Sequence, residues 1–170
     1  MDVIGSSMVI VFCYRGGLDR DTLRADAISR YNALCKSSVD VSLYYDNGVP
    51  YLTGGKHISI THTCVDNAER IELVAIGDEP LGIDIESRAR HVNMSIADRY
   101  FSENERQYIG GDRERLIEVW QKREAVGKSL KIGMYRDDVT SLDGFRQYDI
   151  YRGYSVILYS REHDVVFVAM

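Results

Sequence analysis

The sequence is poor in cysteine, has no long apolar run and carries no excess of positive charge. Cys13, Cys35 and Cys64 are odd in number and far apart, which argues against a disulfide framework and against a zinc cluster. The longest apolar stretch, MVIVFCY (8–14), suits a strand and falls far short of the roughly 18 residues a spanning helix needs, so no membrane partner is expected. The opening MDVIGSS lacks the basic region and long apolar stretch of a secretion signal. Together these features lead to the expectation of a reducing, cytoplasmic location. Lys and Arg number 21 against 26 Asp and Glu, for a net charge of −5. That balance disfavours nucleic acid, whose phosphates demand an excess of basic residues. A local basic pocket for a small polyanion remains compatible with it.

What is present is the composition of a soluble globular chain: 170 residues, 45% apolar and 28% charged. Strand patterns are expected at 9–14, at 41–52 as a hairpin around Asn47-Gly48, and at 54–63, ending at His62. A helix is expected from Asp19 or Asp21 to about Lys36, and a short helical stretch at 64–70. Residues 70–86 read as two strands joined by Gly-Asp-Glu-Pro. After Arg90 the pattern turns helical: NMSIADRYF, then SENERQYI with a capping-box spacing from Ser102 to Glu105, then a long helix from Asp112 to about Lys131. YDIYRGYSVILYS and DVVFVAM read as two closing strands. The expectation is an α+β fold of two similar halves, 1–79 and 80–170, packed as one pseudo-dimeric unit because each is too small to be stable alone.

The stretch LGIDIESRAR (81–90) places Asp84 and Glu86 on one face of a strand, roughly 6–7 Å apart, with Ile83 and Ile85 on the other. A solvated outer face is the plain reading of such a pair. The helix beginning at Asp112 supplies a reason to go further. With Leu116 at 0°, Glu124 falls at about 80° and Arg123 at about 340°, both within the apolar sector that includes Trp120, Val126 and Leu130. Gln121, Lys122 and Ser129 lie outside it. An inward carboxylate is costly unless it is paired or bound to a metal. One reading is that Arg123 and Glu124 satisfy other buried groups. The other is an oxygen-rich cage of Asp84, Glu86 and Glu124, suited to Mg²⁺ rather than zinc, with Arg88, Arg90 and Lys128 neutralising a phosphorylated ligand.

GIDIE (82–86), followed after 33 residues by WQKREAVGK (120–128), resembles the paired signature of the 4'-phosphopantetheinyl transferases. GGKHISITHT (54–63) is similar to that family's Gly-Lys-Pro and Ser-x-Ser-His-Ser segments, and YFSENE (100–105) to its Phe-Phe-Ser-x-x-Glu. The resemblance implies a Mg²⁺-dependent (or Mn²⁺-dependent) enzyme. It would move the 4'-phosphopantetheine arm of coenzyme A to a serine of an apo acyl or peptidyl carrier protein, releasing adenosine 3',5'-bisphosphate. It implies Asp84, Glu86 and Glu124 as metal ligands, and Glu105 as acceptor of the serine proton, beside its capping role. Lys128 is implied as the phosphate-contacting lysine, and Lys56 and His62 as coenzyme A ligands. Arg15, Arg20, Arg24 and Arg30 are the basic residues of the first half open to the 3'-phosphate. The family's lysine before the glutamate is Arg123 here, and His57 stands where proline is frequent. The expected state is a monomer. Rival readings are a non-catalytic carrier-binding relative and a hydrolase using Cys64 and His62.

Overall fold

The structure, a computed structural model, describes residues 7–17, 19–35, 41–65 and 69–170. In chain order the elements are β1 (Met8–Arg15), α1 (Arg20–Cys35), β2 (Leu43–Asp46), β3 (Val49–Leu52), β4 (His57–Val65), β5 (Glu69–Gly77), β6 (Leu81–Ser87), α2 (Ser95–Tyr100), α3 (Glu103–Ile109), α4 (Arg113–Leu130), β7 (Phe145–Tyr151), β8 (Tyr154–Ser160) and β9 (Asp164–Ala169). The protein is α+β, as expected.

Strand alternation builds two layers of core. In β1, Val9, Val11 and Cys13 face one way and Ile10, Phe12 and Tyr14 the other. The second set meets Leu23, Ala27, Ile28 and Tyr31 of α1. The first set meets Leu81, Ile83 and Ile85 of β6 and Val156 and Leu158 of β8. Each such fully buried aliphatic or aromatic side chain contributes about 1.5–3 kcal/mol. A third cluster, including Phe101, Ile109, Leu116 and Val126, holds α2, α3 and α4 together.

The main sheet has the order β4-β5-β1-β9, and a second sheet the order β6-β8-β7. β1 pairs antiparallel with β5, and β5 with β4. β6 pairs antiparallel with β8, and β8 with β7. Strand, helix and returning hairpin are therefore connected alike in β1-α1-β4-β5 and in β6-α4-β7-β8. β9 departs from this symmetry by running parallel to β1 from Met8↔Asp164 to Cys13↔Ala169. Among the described residues no helix is long and apolar enough to cross a membrane.

Two sequence expectations are corrected. The helical stretch at 64–70 is strand where it is described: Cys64 and Val65 end β4, Glu69 and Arg70 open β5, and 66–68 lie outside the described residues. β4 thus continues past His62. YDIYRGYSVILYS is two strands, because Arg152 and Gly153 form a turn in which Gly153 takes φ +83°, a conformation glycine adopts without strain. The Gly-Asp-Glu-Pro turn joins two strands as expected, and since β5 and β6 belong to different sheets it carries the chain from one sheet to the other. The end of the first helix at Lys36 lies outside the described residues.

Candidate functional site

The site forms where the two sheets meet edge to edge. β4 is the outer strand of one sheet and β6 of the other. Two hydroxyls bridge them: Ile83 N donates to Ser59 Oγ at 3.0 Å and Ile85 N to Thr61 Oγ1 at 3.4 Å. The unpaired N–H groups of the β6 edge are thereby satisfied by side chains rather than by another strand. On the outer face of β6 lies α4. A Cβ at Gly82 would stand 1.7 Å from the carbonyl oxygen of Ala125, so only glycine lets the helix settle this close to the strand.

That close seat brings one face of α4 onto the carboxylates of β6. Asp84 is 5% exposed; its Oδ1 accepts from Lys128 Nζ at 2.7 Å and from Thr61 Oγ1 at 3.0 Å. Its Oδ2 is buried and has no hydrogen-bond partner. Lys128 also donates to the carbonyl of Ile83 at 3.1 Å. Glu86, two residues on, is paired with Arg90, whose guanidinium also lies over the Trp120 ring at 5.9 Å. Burial, with Asp84 beside it, pushes the Glu86 carboxyl up to about 7. Glu124 is likewise raised, first by burial and further by Asp84, against the opposing pull of Lys128. The charge of Asp84 acts on both other acids, and its own Oδ2 is left without a partner. That donor set suits a hard cation with oxygen ligands. Among the described residues, however, no three acidic, histidine or cysteine side chains are gathered tightly enough to form a coordination set. Lys128 and Arg90 supply the counter-charges to Asp84 and Glu86.

Beside these groups opens a cleft of about 450 Å³ whose lining includes Pro50, Ser59, Glu124, Lys128 and Lys131. The other residues named from sequence are dispersed around it. Lys56, which precedes β4 by one residue and Thr61 by five, pairs with Asp78 just past the end of β5. Arg88 pairs with Asp149 at 2.5 Å and lines a separate cavity of about 290 Å³ with Gln121 and Glu114. His62 is exposed and follows Ile58 and Ile60 in the alternation, which puts it on the opposite face of β4 from Thr61. Burial, then Arg70 and Arg20, lower its imidazole. Close by, the fully buried Glu72 accepts from Arg24 at 2.9 Å and from Arg70.

Glu105 is enclosed. It is 0% exposed, completes the capping box with Ser102, and takes both prongs of the Arg123 guanidinium at 3.0 and 2.6 Å. The backbone N–H groups of Ser102 and Val139 donate to it as well. These donors hold its carboxyl below the usual range despite burial. Arg123 therefore answers the sequence question about an inward cation: it satisfies Glu105.

Sequence reasoning missed Gln121 and Lys131. Gln121, placed outside the apolar arc, is 0% exposed and donates to the carbonyls of Asp84 and Ser155 at 3.3 and 2.8 Å. Ser129 is buried too, whereas Leu130, placed inside the arc, is 51% exposed. The buried arc of α4 is wider and rotated because the helix packs on β6 and β8 as well as on the helical cluster. Periodicity of apolar residues alone cannot reveal a polar side chain that is buried by bonding strand carbonyls.

Residues 80–163, just under half of the chain, match the family model described as the 4'-phosphopantetheinyl transferase superfamily. No curated protein matches the chain.

Proposed function

We propose, for a chain whose residues 80–163 match the 4'-phosphopantetheinyl transferase superfamily, that it transfers the 4'-phosphopantetheine arm of coenzyme A to a serine of an apo acyl or peptidyl carrier protein. The observation that carries this reading is Asp84: a buried carboxylate with one oxygen on Lys128 and Thr61 and the other unsatisfied, next to an open cleft. Asp84, Glu86 and Glu124 would hold Mg²⁺ once their carboxylates are drawn closer together than they lie here. When bound, it supplies positive charge to the pyrophosphate of coenzyme A.

The chain's own groups then have distinct tasks. Lys128, held by Asp84 and the Ile83 carbonyl, stands ready to donate to a phosphate oxygen and to steady the leaving adenosine 3',5'-bisphosphate. The carrier serine oxygen forms a bond to the β-phosphorus while the bond from that phosphorus to the bridging oxygen breaks, and charge stays on the leaving phosphate. The serine proton passes to a carboxylate. Glu124 lines the cleft and would accept with the carboxylate oxygen not given to the cation, whereas the lone pairs of Glu105 are engaged by Arg123, Ser102 and Val139, so Glu124 is the better acceptor and Glu105 a positioning residue for α3 and α4. Phosphoryl transfer relies mainly on such positioning and charge stabilisation. His62, Arg70, Arg24 and Arg20 form the basic neighbourhood of the first half best suited to the 3'-phosphate. Lys56 and Arg88 are paired with Asp78 and Asp149, as Arg24 and Arg70 are with Glu72, which leaves His62 and Arg20 the members of this set outside an ion pair among the described residues.

The test is incubation of the purified chain with coenzyme A and a panel of apo carriers, with Mg²⁺ and with EDTA. Modification of at least one carrier only in the presence of metal is expected. A chain that binds carriers without modifying any of them would be the non-catalytic relative instead. Retained activity after iodoacetamide would dismiss a role for Cys64.

A further inference from the structure

Lys131 is the C-terminal cap of α4, with φ +60°. That left-handed conformation costs a side-chain-bearing residue about 1–2 kcal/mol, and helices ending this way usually place glycine there. The conformation sends the side chain across the cleft, where Nζ donates to the carbonyls of Pro50 at 3.2 Å and Ile58 at 2.6 Å. The ammonium lies 5.5 Å from the centre of the Tyr51 ring. Two of its three donors are thus spent on neutral oxygens. Among the described residues no carboxylate lies within ion-pair reach of it, whereas its neighbour Lys128 is paired with Asp84 and Lys56 with Asp78. Burial, unopposed by any acid, draws its pKa down to about 8. A half-enclosed cation with no counter-charge, in a strained backbone position and lining a cleft, is an arrangement that a bound anion would complete.

We infer that Lys131 is an anion-binding residue that gives its remaining donor to a phosphate group of the coenzyme A substrate in the cleft between β3, β4 and α4. The inference rests on the coenzyme A reading above and adds a residue that reading did not use. The carbonyls of Pro50 and Ile58 hold the ammonium in place before the ligand arrives, which reduces the ordering cost of binding.

Two variants test it by calorimetric titration with coenzyme A, with 3'-dephospho-coenzyme A and with inorganic pyrophosphate. Lys131→Met keeps the aliphatic stem over Tyr51 and removes the charge. Lys131→Gly removes both the charge and the backbone strain. Both should weaken coenzyme A binding about tenfold, the size of one lost charge-assisted hydrogen bond. In turnover assays KM for coenzyme A should rise by a larger factor than kcat falls. A loss for pyrophosphate and dephospho-coenzyme A alike assigns Lys131 to the diphosphate, and a loss only for coenzyme A assigns it to the 3'-phosphate. Binding within about twofold of wild type in both variants overturns the inference. So does a wild-type chain that binds none of the three ligands. A wild-type chain that binds coenzyme A more tightly than the variants, yet modifies no carrier, removes the transferase reading while leaving the anion site standing.

Discussion

Replacing Glu105 by Gln separates a buried structural ion pair from a catalytic base. In the wild type Arg123, 1% exposed, gives two hydrogen bonds to Glu105, and the N–H groups of Ser102 and Val139 give two more. The amide keeps one accepting oxygen and turns an N–H₂ toward groups that are themselves donors. The guanidinium is left buried and charged, a change that typically costs about 3–5 kcal/mol. At roughly 2–4 °C per kcal/mol for a chain of this size, the melting midpoint should fall by about 6–20 °C. The pH dependence follows from the lowered carboxyl of Glu105. Its stabilising contribution is fully present above the carboxyl's unfolded-state pKa and is lost as pH falls through the lower folded-state value. The gap between wild type and Glu105→Gln should therefore close in acid. Removing both charges, as in Glu105→Gln/Arg123→Met, should recover part of the loss, because no unpaired charge remains. Differential scanning calorimetry from neutral pH into acid provides the readout. An unchanged midpoint combined with a transfer rate lowered by about 10²–10⁴ would refute this reasoning and make Glu105 the base.

Further expectations follow from the same geometry. Asp84→Ala should abolish transfer while far-ultraviolet circular dichroism stays native, and full activity in that variant would remove the metal-site assignment. Gly82→Ala should destabilise the protein by about 2–3 kcal/mol in urea titration, because the added methyl collides with the Ala125 carbonyl and must push α4 off β6. Glu86 has its folded carboxyl raised from 4.5 to about 7, so metal-free protein should lose stability as pH rises across that window, by about 3 kcal/mol at most. Glu86→Gln should flatten that limb, and an unaltered profile would contradict the assigned burial. EDTA should lower coenzyme A affinity in the wild type far more than in Asp84→Ala.

Much of the frame was legible in the sequence because it is written in local periodicity. The alternation of Ile83 and Ile85 against Asp84 and Glu86 gave both the core face and the acidic face of β6. The caps Asp112 and Ser102 marked two helix starts. Asn47-Gly48 marked the β2-β3 turn. What escaped depends on partners far away in the chain. The Arg123–Glu105 pair, the clasp of Lys131 on Pro50 and Ile58, and the Gln121 bonds to Asp84 and Ser155 each join residues that packing brings together. Lys131 was the least legible, since its left-handed cap position would be assigned to glycine on backbone grounds. His62 shows the limit of motif spacing. It sits one residue from Thr61, which touches Asp84, and strand alternation turns it to the other face.

Intact-mass spectrometry of one apo carrier incubated with coenzyme A, Mg²⁺ and either the wild-type chain or Asp84→Asn tests the transferase reading. The carrier should gain one 4'-phosphopantetheine arm with the wild type and none with the variant. An unmodified carrier across the whole panel with folded wild-type chain, or equal modification by the variant, would contradict that reading.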